Sequence, residues 1–439
     1  MTDDRIQQVL KGMVASDPDR GHTAESIADW LTAGEGVEMI DLAGVQRFAW
    51  HSLPVKWLGS PDEHRRVLAA AAELFGGLDL PRYAAVCRSE ETEEILDAYA
   101  VSDQTGLKAF RKAYQRSGVD PPDLDDFVWG DIMGIEEAVA QSSAEGALEE
   151  AMTQGTLVPG ARGWRSVAAE VTAGVLDSAH PTLPGQTHRT AIVTERLDGW
   201  LREVKGRSPQ LHALRSRHVN RLLHPIPVPE DVTERIEPIT WFLDRVDEGA
   251  RLTQAGYVPT TMVREGWERF SWDLGWTDRP PRTETEVIQI HELHLLLRRL
   301  GAVRRREKEL RLSRLGDSMR DDPQVAWRKV AAGLSDGEWA RAVAEVFTLL
   351  LVGGETLDRK LESKARAIVA QAGWRTDGEP PDTDAVASAW WTTRRPLRVL
   401  GGLERGGDWR SPTTTLTGFG QATLLEQIRA EATGPRSRP

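Results

Sequence analysis

The stretch from Arg298 to Gly316 reads Arg-Arg-Leu-Gly-Ala-Val-Arg-Arg-Arg-Glu-Lys-Glu-Leu-Arg-Leu-Ser-Arg-Leu-Gly and restricts what this chain can fold into more than any other. A helical repeat of apolar residues (Val287, Ile290, Leu293, Leu297, Leu300) ends at Gly301. Two alternating runs follow. Val303, Leu310 and Leu312 fall on one side and Arg304, Arg306 and Arg311 on the other, with a turn near Glu307 and Lys308. The spacing therefore predicts a helix end, a short basic hairpin and a new helix.

The end of that stretch belongs to a pattern, Leu-(Ser/Thr)-x-x-Gly, that occurs at Leu252–Gly256, Leu312–Gly316 and Leu416–Gly420. The Leu closes an extended run, the hydroxyl caps a helix, and a Gly in its first turn lets the helix approach a neighbour closely. The second and third copies follow strand-like runs, 309–312 and 413–416, which indicates two winged-helix-like units rather than a regular solenoid. In the first, Tyr257 to Trp272 is expected as a helix, and Thr283-Glu-Thr-Glu286 reads as a capping box opening the next. Ser335-Asp-Gly-Glu338 opens a further helix with Val343, Val346, Phe347 and Leu350 on one stripe.

Upstream the pattern is short helices punctuated by Gly and Pro. Ser60-Pro-Asp-Glu63 is a capping box with proline at the first helical position, and Ser89 and Ser208 open further helices. Pro225-Ile-Pro-Val-Pro229 is an extended strap suited to a spacer. The fold class expected is mainly α, an N-terminal helical domain followed by C-terminal winged-helix-like units with short β-hairpins. Its boundaries are an acidic-to-mixed all-helical domain at 1–224, a Pro-rich linker at 225–230, a winged-helix-like unit at 231–352, a second helical or winged-helix-like unit at 353–432 and a disordered tail at 433–439.

Gly249-Ala-Arg-Leu-Thr-Gln-Ala-Gly-Tyr-Val-Pro259, Leu297-Arg-Arg-Leu-Gly-Ala-Val-Arg304 and Leu310-Arg-Leu-Ser-Arg-Leu-Gly316 resemble a C-terminal region of uncharacterised actinobacterial proteins, some described as similar to plasmid pRiA4b ORF-3. The likeness covers about residues 235–435, and residues 1–225 show no sign of the ORF-3-like domain. It implies fold and bacterial origin and carries no known activity.

The sequence contains no set of residues that identifies a reaction. Gly-x-Ser-x-Gly and phosphate-loop patterns are absent. Five aspartates at 120, 123, 125, 126 and 131 do not match the spacing of a calcium loop. His291 and His294 are three apart, not the four of a zincin helix. Gly418-Phe-Gly420 lacks the third glycine of a dinucleotide fingerprint. Cys87, the single cysteine, is expected to be a buried, inert thiol. No catalytic residue, cofactor or metal is assigned, although an enzyme of unrecognised type in the N-terminal half stays open.

Charge leaves two binding readings. Residues 1–150 carry 13 Lys and Arg against 29 Asp and Glu, a net of -16, so the remainder must sum to +4 to give -12 overall. The basic hairpin offers Arg298, Arg299, Arg304, Arg305, Arg306, Lys308, Arg311 and Arg314 as contacts to phosphates or to a partner. Against base reading, Glu284, Glu286, Gln289 and Glu292 are expected to point outward from the preceding helix. The favoured expectation is a non-catalytic protein-interaction or scaffold role, including self-association, and the alternative is nucleic-acid binding. Arg215, Arg217 and Arg221 are read as a solvated helix face. With no long apolar run and no basic-then-apolar N-terminus, no membrane contact and a cytoplasmic location are expected.

Overall fold

A computed structural model describes residues 4–272, 279–406 and 413–436. It is mainly helical, with small antiparallel sheets. The chain forms two compact units: Met1–Ile192 with Pro435–Pro439, and Val193–Gly434. The strap at 225–230 does not divide them. Ile226, between its prolines, is buried in the core of the second unit, which makes the strap a packed segment of that unit.

The first unit comprises helices α1 (Asp4–Ser16), α2 (Pro18–Thr32), α3 (Leu42–Arg47), α4 (Leu53–Lys56), α5 (Pro61–Gly77), α6 (Pro81–Cys87), α7 (Glu90–Val101), α8 (Asp103–Ser117), α9 (Ile135–Thr153) and α10 (Trp164–Asp177). Sequence neighbours pack on one another, α1 on α2, α5 on α6, α7 on α8 and α9 on α10. The Ser60 capping box forms: the Glu63 amide donates to the Ser60 hydroxyl at 3.3 Å and the Ser60 amide to the Glu63 carboxylate at 2.6 Å. The tail expected to be disordered is ordered to residue 436, where the Arg436 carbonyl accepts from the Ile132 amide at 3.1 Å; residues 437–439 lie outside the described residues.

α11 (His188–Val204) contains the division between units, after Ile192. There follow α12 (Pro209–Leu222), α13 (Val232–Asp247), β1 (Ala250–Arg251), α14 (Thr260–Arg269), α15 (Ile288–Arg299), β2 (Val303–Arg306), β3 (Glu309–Leu312), α16 (Arg314–Asp321) and α17 (Pro323–Ala332). The second unit ends with α18 (Gly337–Val352), α19 (Arg359–Gln371), α20 (Thr383–Val399), β4 (Leu403–Gly406), β5 (Thr413–Leu416) and α21 (Gly418–Thr433).

A substructure is repeated in this unit. From α13, the chain runs through β1, α14, α15 and the β2–β3 hairpin into α16, and β1 pairs antiparallel with β3. From α18, it runs through Leu357, α19, α20 and the β4–β5 hairpin into α21, and Leu357 pairs antiparallel with Thr414 of β5. α18 therefore opens the second copy, although a boundary at 352 places it in the first; its apolar stripe packs on α19, α20 and α21.

The same atoms fasten both copies. The Ser313 amide donates to the Ala302 carbonyl at 2.9 Å and the Thr417 amide to the Gly402 carbonyl at 3.1 Å. The Ser313 and Thr417 hydroxyls then cap α16 and α21 by accepting from the Gly316 and Gly420 amides. The first Leu-Thr-x-x-Gly segment differs: the Thr253 amide donates to the Tyr257 carbonyl and its hydroxyl accepts from the Tyr257 amide, Gly256 sits at φ 85°, and α14 starts only after Pro259. Residues 273–278, just beyond the expected helix end at Trp272, lie outside the described residues.

Candidate functional site

The β2–β3 hairpin is held from beneath by Val303 and Leu310, both buried in the core of the unit. Strand alternation does not hide its arginines: Arg305 stands opposite the buried Leu310 yet is exposed, as are Arg304, Arg306, Lys308, Arg311 and Arg314. Arg304 and Arg311 lie directly opposite across the strands, a like-charge pair that is unfavourable in itself and concentrates positive potential. Glu307 makes the turn at φ 56°, and the only ion pair of the strands is Arg311 with Glu309 at 2.8 Å among the described residues. Arg298 is exposed as well. Arg299 is not a surface contact: it turns inward and donates to the carbonyls of Gly333 and Leu334 at 2.9 and 2.8 Å, and burial lowers its basicity.

The acidic groups expected to face outward ahead of the hairpin also turn in. Glu284 is 1% exposed. Its carboxylate accepts from the Val258 amide at 2.7 Å and meets Nδ1 of His291 and of His294 at 2.9 and 3.0 Å. Burial pushes this carboxyl up, but the His294 bond and charge, the Val258 amide and the His291 bond outweigh it and hold the group below its ordinary range. These bonds draw residues 284–286 into a 3-10 turn, so the expected Thr283 capping box does not form and α15 starts at Ile288. Glu286 bonds locally to the Arg282 amide and the Thr283 hydroxyl. Glu292 is buried against α20, where Arg395 reaches it at 2.9 Å.

With the acids withdrawn, α15 presents an outer stripe of Ile288, Leu295 and Arg298. Both aliphatic side chains are 45% exposed. One turn from Leu295, the Glu292–Arg395 pair leads to Trp391 on α20, which is 40% exposed and carries the guanidinium groups of Arg394 and Arg395 over its ring at 4.9 and 5.0 Å. The exposed stripe of α15 is thus aliphatic at Ile288 and Leu295 and basic at Arg298, and its packing neighbour α20 exposes Trp391 beneath two arginines.

One buried charge pair escaped the sequence reading. Arg215, expected on a solvated face, is 4% exposed. Its Nε and Nη2 donate to the two oxygens of Glu345 at 2.6 and 2.9 Å, and Nη1 to Glu203 at 3.2 Å and to the Trp200 carbonyl. The signal was present in the helical spacing: Leu211, Leu214, Arg215, His218 and Leu222 make one buried stripe of α12, so Arg215 occupies a core position.

The aspartate-rich loop is not arranged as a cation cage. Asp123 accepts from the Trp129 amide at 3.0 Å, Asp126 pairs with Arg189 at 3.1 Å, and burial, with Glu145 and Asp123 nearby, pushes Asp120 up to about 6. Among the described residues no three His, Cys, Asp or Glu side chains are grouped to hold a metal ion, and no helix is long and apolar enough to cross a membrane. No protein-family model, curated protein or solved structure matches the chain.

Proposed function

We propose that this chain is a non-catalytic binding protein that docks a protein partner on its second unit through two winged-helix-like modules. Connectivity supports the module reading. A helix, a short strand, two helices and a hairpin, with the first strand joined to the last, occur from α13 to β3 and again from α18 to β5. The observation that carries the docking reading is the half-exposed Ile288 and Leu295 on α15, a helix packed on α20, which exposes Trp391 and its arginines, and on β2 of the basic hairpin. Large apolar and aromatic groups ringed by Arg are the composition of protein-docking patches. The charge around them suits an acidic segment with an apolar face, and the -16 carried by residues 1–150 makes a second copy one such partner.

Nucleic acid is the second reading, favoured by the six exposed basic side chains of the hairpin region and by the withdrawal of Glu284 and Glu292 from the surface. It ranks lower because α20 packs along α15, and the stripe left free is largely aliphatic. The test compares wild type, Leu295→Asp and the triple change Arg304→Glu, Arg305→Glu, Arg306→Glu by light scattering, affinity capture and anisotropy with labelled duplex DNA at 50 and 200 mM salt (about the range over which phosphate contacts weaken). Protein docking requires a stoichiometric partner or self-association lost in both variants. A monomer with no partner, or one bound equally by all three proteins, overturns it. DNA binding lost only in the triple variant would install the second reading instead.

A further inference from the structure

A cavity of about 530 Å³ lies among α11, α12, α18, α19 and α21 of the second unit, separate from the docking surface. Its lining has one more carboxyl group than it has guanidinium groups. Carboxyl groups come from Glu203, Glu338, Glu345 and Glu431, guanidinium groups from Arg207, Arg215 and Arg341. Arg215 is fully committed to Glu345, Glu203 and the Trp200 carbonyl, and both oxygens of Glu345 are engaged by it. Glu431 has no such partner. Among the described residues its carboxyl meets only the Gln427 side-chain amide, one turn earlier on α21 at 3.5 Å. Burial and the nearby Glu345 push it up to about 8, against the weaker pull of Gln427, Arg341 and Arg215, so it holds a proton at neutral pH.

The geometry around Arg215 indicates what is missing. A guanidinium there lies 4.5 Å from the Trp200 ring centre while bonding to a carboxylate. The lining also offers a second indole, Trp374, and a second carboxyl, Glu431, and among the described residues no arginine of the lining makes an ion pair with Glu431 or lies over the Trp374 ring. We propose that this cavity binds one small organic cation, a primary ammonium or a guanidinium, held by Glu431 beside Glu345 and by the face of Trp374. The cation takes the place of the Glu431 proton, so binding releases one proton to solvent and keeps the lining balanced, four carboxylates against three arginines and the ligand. Above the pH at which Glu431 ionises unaided, binding no longer needs to displace that proton.

Calorimetry with n-butylamine, a monocation at this pH, in phosphate and in HEPES at pH 7, tests this on the full chain, with acetyl-Gly-Arg-Gly-amide as a second probe. The expected result is binding with close to one proton released, tightening up to about tenfold per pH unit from 6 to 8 and levelling above it. Glu431→Gln should weaken binding at least tenfold and abolish the proton release, and Trp374→Ala should weaken binding while keeping the release. Circular dichroism and the thermal midpoint establish that both variants are folded. Butylamine binding alone would mark a free amine as ligand, and binding of the peptide an arginine side chain of a partner. No binding of either up to millimolar concentration, binding without proton release, or undiminished binding to folded Glu431→Gln overturns the proposal.

Discussion

Gly316 and Gly420 stand at the two most confined backbone positions of the repeated hairpins, and adding one methyl group tests whether those junctions hold the second unit together. A Cβ on Gly316 would lie 2.2 Å from the Ala302 carbonyl oxygen, and one on Gly420 2.0 Å from that of Gly402, whereas real Cβ contacts essentially never fall under 3.0 Å. Relief needs a shift of about 0.8 to 1.0 Å in backbone rather than in a flexible side chain. The same carbonyls accept from Ser313 and Thr417, so moving them also weakens the bonds that start α16 and α21. Overpacking of this kind costs about 1–3 kcal/mol and a compromised hydrogen bond about 1 more, giving about 2–4 kcal/mol for Gly316→Ala or Gly420→Ala. Gly418, two residues before Gly420 in the same turn, has nothing within 4 Å of its Cβ position, and Gly418→Ala should be neutral or stabilising by about 0.5 kcal/mol. Urea titration followed by tryptophan emission, with hydrogen exchange of the hairpin amides, measures all three. If Gly420→Ala and Gly418→Ala unfold alike, the close approach is not a determinant of the fold.

Three further outcomes follow from buried chemistry. Glu345→Gln leaves Arg215 with Glu203 as its one remaining carboxylate and should cost up to about 3–5 kcal/mol in urea unfolding, while Arg215→Met combined with Glu345→Leu should recover most of it; equal losses in both would contradict the pairing. Glu431 is raised from the ordinary 4.5 to about 8, so the folded chain keeps a proton that the unfolded chain releases in that window, and stability should fall as pH rises from about 4.5 to about 8. Glu431→Gln should flatten that slope, by less than the full linkage of about 1.4 kcal/mol per pH unit because solvent reaches the half-buried residue, and parallel pH curves for the two proteins would refute it. Burial pushes Cys87 up to about 12, so iodoacetamide at pH 8 should label it at least about a hundredfold more slowly in the native chain than in urea.

What could be read along the chain was whatever depends on near neighbours. The Ser60 and Ser208 caps, the inward Val303 and Leu310, the turn at Glu307 and the need for Gly420 are each set by contacts in one segment or one hairpin. Failures cluster at charged residues whose partners are remote in sequence. Glu292 turns inward because Arg395 waits for it, and Arg215 because Glu345 does. A carboxylate or guanidinium at a core-facing position is stable only when such a partner exists, and helical periodicity cannot supply that information. Glu284 is the instructive intermediate case: His291 and His294 were noticed as a possible ligand pair, yet what they bind is the glutamate seven and ten residues earlier.

Those inward turns also change the sign of the argument about partners. From Glu284 to Arg314 the sequence has eight basic residues against five acidic ones, but Glu284, Glu292 and Arg299 are withdrawn, leaving seven against three at the surface. The remaining acids do not screen the stripe: Glu286 is bonded locally, and Glu307 and Glu309 lie in the hairpin turn and strand. An approaching group therefore meets Ile288, Leu295 and Arg298 on α15, with the helix's one carboxylate, Glu292, tied to Arg395. A phosphate backbone would use the basic side chains and leave the aliphatic stripe uncovered, whereas an acidic amphipathic segment would use both, which is why Leu295→Asp separates the two partners better than any change of charge in the hairpin.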